Sequence, residues 1–193
     1  VAPGLELHVS TQASTTNWHT VQMWKELGAT RVVAAREVSL ADLKEMKDHV
    51  DIEIESFVHG SMCISYSGRC LLSNYMTGNR DANRGQCSQS CRWKYSLVES
   101  NRPGEYYPIE EDEHGTYIFN SKDLCLIHRI PDLYEAGIDS LKIEGRMKSV
   151  HYCATVAKVY RTAIDTYLKE GKDWYVRPEW IAELEKISHR PYT

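Results

Sequence analysis

The sequence has no run of apolar residues approaching the ~18 needed to cross a bilayer, and its opening residues lack the basic, apolar and small-residue order of a secretory leader. A membrane span and a signal peptide are therefore not expected, and a cytoplasmic location is. The chain opens on Val1 rather than methionine, which leaves a processed start open. An excess of positive charge is also missing: 23 basic against 27 acidic side chains give a formal charge of −4, which argues against a surface that binds polyanions everywhere. There is no glycine-rich phosphate turn of the G-x-G-x-x-G kind and no HExxH zinc motif. Those absences remove a dinucleotide-binding switch point and the commonest metalloprotease centre.

What is present is a soluble-type composition, 42% hydrophobic and 26% charged over 193 residues, suited to one domain or two small ones. Strand and helix patterns alternate. Residues 5–10 alternate apolar and polar, residues 17–27 follow helical spacing up to Gly28, and residues 31–35 read as a buried strand. Ser39 with Asp42 three positions on predicts a capping box for a helix to His49, and residues 51–58 predict a third strand. A fourth strand is expected over Tyr117–Phe119, followed by a helix opening at Ser121 that Pro131 interrupts and restarts. In that helix Asp123 would simply favour the positive end of the dipole. A fifth strand is expected over Ser140–Ile143, the longest helix over residues 150–168, and a shorter one from Pro178 to Ile187.

Strand starts near 5, 31, 51, 117 and 140 fit single strand-plus-helix units with one large insertion. Each strand ends in polar chemistry: Gln12, Arg36 with Glu37, Glu55 with His59, Lys122 with Asp123, and Glu144 with Arg146. In a TIM-like (β/α) barrel the carboxyl ends of the strands meet on one face, which would gather these groups around one pocket. Five strands fall short of eight, so an incomplete barrel, the C-terminal portion of a longer one, is the expected fold. The segments are then 1–58 and 117–193 as barrel units, with 59–116 as a cysteine-rich insertion.

The insertion carries the most specific pattern. Cys63, Cys70, Cys87 and Cys91 are spaced x6, x16 and x3, with Gly68, Gly78 and Gly85 between them. Glycines let separate stretches turn tightly and bring thiolates to one point, as a four-cysteine cluster or a zinc site requires. Only the Cys87/Cys91 pair has the close spacing usual for zinc, which favours a [4Fe-4S]-type cluster over a zinc knuckle or plain buried thiols. Cys153 shares a helical face with Val150 and Ala157 and reads as a small core residue.

The run Glu55, Phe57, Gly60, Ser61, Met62, Cys63, Gly68, Cys70, Leu72 and Ser73 resembles the peptidase U32 family, the collagenase-like proteases. The resemblance extends through residues 8–12, 34–37, 119–124, 142–149 and 188–193. It implies a TIM-like barrel with an inserted cysteine region, and barrel strands preceding the position of Val1. Partners implied are therefore a missing N-terminal barrel segment or, without it, self-association. Members resembling this chain hydroxylate a tRNA anticodon uridine or a ribosomal RNA cytidine, and relatives with a [4Fe-4S] cluster hydroxylate ubiquinone precursors without oxygen. The family's name implies proteolysis, yet no protease motif is legible apart from His59 four residues before Cys63. On this resemblance the ligands are Cys63, Cys70, Cys87 and Cys91, with Cys125 as the substitute for the fourth.

Candidates for the reacting groups are Glu55, His59, Glu144 and Arg146, which could hold a substrate carboxylate or move a proton, or could merely pair with other charges at the barrel mouth. Between Arg69 and Arg102 six basic residues face two acidic ones. Arg80, Arg84, Arg92, Trp93 and Lys94 are therefore candidates for contacting tRNA or rRNA, phosphates through the cations and bases through the aromatic faces. A solvated insertion with its own small core is the alternative.

Overall fold

A computed structural model describes residues 4–93, 95–108 and 122–193. Four parallel strands form the scaffold: β1 (His8–Val9), β2 (Arg31–Val33), β3 (Glu53–Ser61) and, late in the chain, a strand over Ser140–Ile143. Two short strands, β4 (Ser96–Leu97) and β5 (Tyr107–Pro108), pair with each other outside this sheet. The fifth strand of the main sheet, β6 (Asp123–Cys125), runs antiparallel to β3, and Ser140–Ile143 is β7. β3 is the hub: it pairs with β2 through Glu53–Glu55, with β7 from Glu55 to His59, and with β6 from His59 to Ser61. Its residues from Ile54 to Ser61 are all buried.

The parallel strands are joined by helices whose ends are set by local chemistry. Asn17 caps α1 (Trp18–Glu26) by accepting from the Thr20 amide at 3.0 Å. Ser39 and Asp42 form the expected reciprocal box at the start of α2 (Leu40–His49). The short α3 (Leu72–Thr77) lies in the cysteine segment, α4 (Ile130–Glu135) carries Pro131 in its first turn, and Ser149 caps α5 (Val150–Glu170). α6 (Pro178–Glu185) packs on α5. Leu43 and Met46 of α2, Val156 and Ala163 of α5 and Leu184 of α6 bury their side chains with Val32, Ile54 and Val58 of the sheet in one core. No helix among the described residues is long and apolar enough to cross a membrane.

Two expectations change. The helix expected from Ser121 is instead β6, because Asp123, Leu124 and Cys125 find backbone partners in Ser61, Gly60 and His59 and in the returning C-terminus, where Asp123 bridges Tyr192. Those partners lie far away in sequence, and they override local helical character. The strand expected over Tyr117–Phe119 lies outside the described residues. β3 also runs to Ser61, through the boundary expected after residue 58. The fold is mixed α/β with an open five-stranded sheet; among the described residues β1 pairs only with β2.

Candidate functional site

The chain's chemistry gathers where β1, β2, β3 and β7 end. Gln12, Arg36, Ser61, Glu144 and Arg146 follow or close those strands and line one cavity, whose other wall is the segment carrying Cys63, Cys70, Cys87 and Cys91. A register shift between Phe57 and His59 and the positive φ of Gly60 (+103°) bring β3 against the end of β7. A Cβ on Gly60 would stand 2.3 Å from the Glu144 carbonyl oxygen, so only glycine allows this approach.

All six cysteines are free thiols. Cys63 is exposed, Cys70 and Cys87 half-buried, and Cys91 buried. Burial pushes the Cys91 thiol above its usual pKa, against the Arg92 guanidinium. Arg36 Nη1 donates to Cys63 Sγ at 3.5 Å, its Nη2 meets Glu144 Oε2 at 3.5 Å, and its guanidinium lies over the Phe57 ring at 3.8 Å. Glu37 accepts from the Ser67 amide and hydroxyl, tying the cysteine segment to the end of β2. Arg146 donates to the carbonyls of Gly85 and Cys87. The four thiols line the cavity without closing on a point: no group of His, Cys, Asp or Glu among the described residues is drawn together as metal ligands are.

Glu144 and Arg146 thus stand at the cavity as expected, whereas Glu55 and His59 do not. Glu55 lies early in β3 and ties strands together, accepting from Lys142 Nζ at 2.6 Å, Ser140 at 3.0 Å and Arg31 at 3.4 Å. Burial opposes its ionisation, but the Lys142 ammonium, with Ser140 and Arg31, outweighs that and lowers the carboxyl's pKa. His59 is fully buried among the rings of Tyr152, Tyr160 and Tyr192. The Tyr160 hydroxyl donates to the Val58 carbonyl at 2.8 Å, so at its 3.3 Å contact the His59 Nδ1–H is the donor. Nε2 then holds the lone pair and has no partner, so no hydrogen bond joins His59 to Cys63. Burial lowers its pKa to about 4.

Cys125 sits on β6 opposite His59, near the Tyr160 hydroxyl, and is not on the cavity wall. Cys153 lies against Gly145. Of the residues expected to meet RNA, Arg80 and Arg84 are exposed and Trp93 is half exposed and stacked near Tyr95. Lys94 lies outside the described residues. Arg92 is turned inward instead, its guanidinium engaged within the protein: Nη1 pairs with Asp123 Oδ1 at 2.5 Å and Nη2 donates to the Met62 carbonyl at 3.2 Å. Asp123, expected at a strand end where it opens a helix, is fully buried, and its inward pairing is what the sequence reading missed.

These site features lie between Gln12 and Arg146, and the match to the model of peptidase family U32 covers the whole chain, residues 1–193. The chain belongs to peptidase family U32. It is similar to tRNA hydroxylation protein P1 of Bacillus subtilis, 54% identical over 190 residues that cover 98% of this chain and 44% of the relative. tRNA hydroxylation protein P of Escherichia coli is 42% identical over 231 residues, 99% of this chain and 50% of that protein. A 23S rRNA 5-hydroxycytidine synthase of Escherichia coli is 35% identical over 171 residues, 89% of this chain and 25% of that protein. This chain therefore spans about half the length of the first two U32 relatives. No solved structure matches it.

Proposed function

We propose that this chain is the cluster-bearing part of an RNA hydroxylation enzyme of family U32, acting on a tRNA wobble uridine at its 5-position. The observation that carries the reading is the meeting of Cys63, Cys70, Cys87 and Cys91 on one cavity with Gln12, Arg36, Glu144 and Arg146 at the ends of the parallel strands. The names of three relatives, two tRNA hydroxylation proteins and a 23S rRNA 5-hydroxycytidine synthase, support it, while an archaeal relative 43% identical is named a protease.

Four free thiols on one wall are the donor set of a [4Fe-4S] cluster, with zinc as the alternative occupant. A bound cluster would supply one-electron redox chemistry. Arg36 stands against Cys63 and would offset the cluster's negative charge, while Glu144 fixes Arg36 and accepts from the Arg146 amide at 3.1 Å. Arg146 spends its guanidinium on the Gly85 and Cys87 carbonyls, so its part is to hold the Cys87 loop rather than to bind substrate. Exposed Arg80 and Arg84 near this loop would meet phosphates, with Tyr66, 70% exposed on the cavity rim, offering a face for a base.

The parallel strands, with side chains converging at their carboxyl ends, support reading this chain as part of a TIM-like barrel. The open sheet would then be completed by a further barrel segment, or covered by self-association. An RNA substrate implies action in the cytoplasm. The test is mass spectrometry of tRNA and rRNA nucleosides from cells lacking the gene, complemented with the wild-type gene or with Cys87→Ala. Loss of one hydroxylated nucleoside, restored by the wild type alone, is expected; unchanged RNA would overturn the reading.

A further inference from the structure

The buried carboxylate of Asp123 has an arrangement that packing alone does not explain. A fully buried carboxylate is costly unless every lone pair is used, and here the partners are drawn from three distant segments. Oδ1 takes Arg92 Nη1 at 2.5 Å; Oδ2 accepts from the Arg190 amide at 3.2 Å and lies 3.8 Å from Lys148 Nζ. Arg92 follows Cys91, and its Nη2 holds the carbonyl of Met62, which precedes Cys63, at 3.2 Å. The Arg190 guanidinium holds the Arg92 carbonyl at 2.7 Å. The Asp123 amide and carbonyl are themselves fixed by Pro191 and Thr193. One guanidinium thus bridges the backbones beside Cys63 and Cys91, and its charge is anchored in the sheet.

We infer that Asp123 is a positioning residue, which through Arg92 holds Cys63 and Cys91 at a fixed separation on the cavity wall. The inference rests on reading the four cysteines as a cluster site, and it assigns the C-terminal strap at residues 190–193 a share in that site. A fork is required, because a lysine in place of Arg92 supplies the charge but cannot meet Asp123 and the Met62 carbonyl in the same planar geometry.

Removing one partner alone would strand a buried charge and risk unfolding, so the test replaces both. Arg92→Met with Asp123→Leu exchanges the pair for apolar side chains of similar volume, an exchange that buried ion pairs commonly tolerate. Arg92→Lys is the second variant. The full chain is purified without oxygen, and iron per chain and melting temperature are measured. Separately, the metal-free chain is treated with a short bis-alkylating thiol reagent, and the Cys63–Cys91 cross-link is counted by peptide mass spectrometry. Both variants are expected to melt within a few degrees of wild type yet to lose iron several-fold and cross-link several-fold less. Wild-type iron and cross-linking in the double variant would overturn the inference while leaving the cluster intact. If the wild type itself holds no iron, the cluster reading fails. The cross-link then decides the positioning role alone: a several-fold loss supports it and an equal yield refutes it.

Discussion

Gly68 meets the backbone of Gln12 so closely that a Cβ on it would lie 2.1 Å from the Gln12 carbonyl oxygen. This contact seats the cysteine segment against the end of β1, and the φ of +75° adds backbone strain for any residue with a Cβ. Gly68→Ala must move backbone, not a flexible side chain, and should cost on the order of 3 kcal/mol. Gly78→Ala, at φ +79° with open space around its Cβ, should cost only about 1 kcal/mol. Thermal melts of the two variants check the difference; equal losses would show that the Gln12 contact does not seat the loop.

His59 predicts a pH dependence of stability. Its pKa falls from the ordinary 6.5 to about 4 on folding, because burial disfavours the charged ring, with His189 and Lys148 adding to the shift and Asp123 opposing it. The unfolded chain therefore binds the extra proton first, so the contribution is fully present above pH 6.5 and is lost as pH falls toward 4. The amount is about 3 kcal/mol. Denaturant titrations between pH 7 and pH 4 should show His59→Gln losing less stability than wild type over that window. Parallel curves would contradict the buried neutral ring.

Much of this architecture is legible in the amino-acid order, and the parts that are not share one physical reason. Asn17, Ser39 with Asp42, and Pro131 act within one helical turn, so the residues themselves announce the helix starts. Gln12, Arg36, Glu144 and Arg146 could be placed on one face because parallel strands with short crossovers put their carboxyl ends together. Glu55 could not be told from these, since the extent of β3 depends on pairing with β6 and β7, and the strand continues six residues beyond it. Arg92 and Asp123 are hidden for the same reason. The two are 31 residues apart, Asp123 is a further 67 from Arg190, and no local period reports contacts of that range.

Glu55 is predicted to act in stability alone. Glu55→Gln keeps the acceptor for Ser140 but drops the charge facing Lys142 and Arg31, and should cost about 1–2 kcal/mol, reduced by the partial exposure of Lys142. RNA hydroxylation by the folded variant, followed by nucleoside mass spectrometry, should match the wild type. Loss of product in a variant that melts normally would return Glu55 to the reacting groups.

The measurement that bears most directly on the central claim is iron and sulfide analysis of the protein purified without oxygen, repeated for each cysteine changed singly to alanine. The wild type should be brown and hold about four irons per chain. Changing Cys63, Cys70, Cys87 or Cys91 should abolish the iron, whereas Cys125→Ala and Cys153→Ala, which do not line the cavity, should keep it. A colourless protein with stoichiometric zinc, or iron lost with Cys125 and kept without Cys91, would contradict the site described.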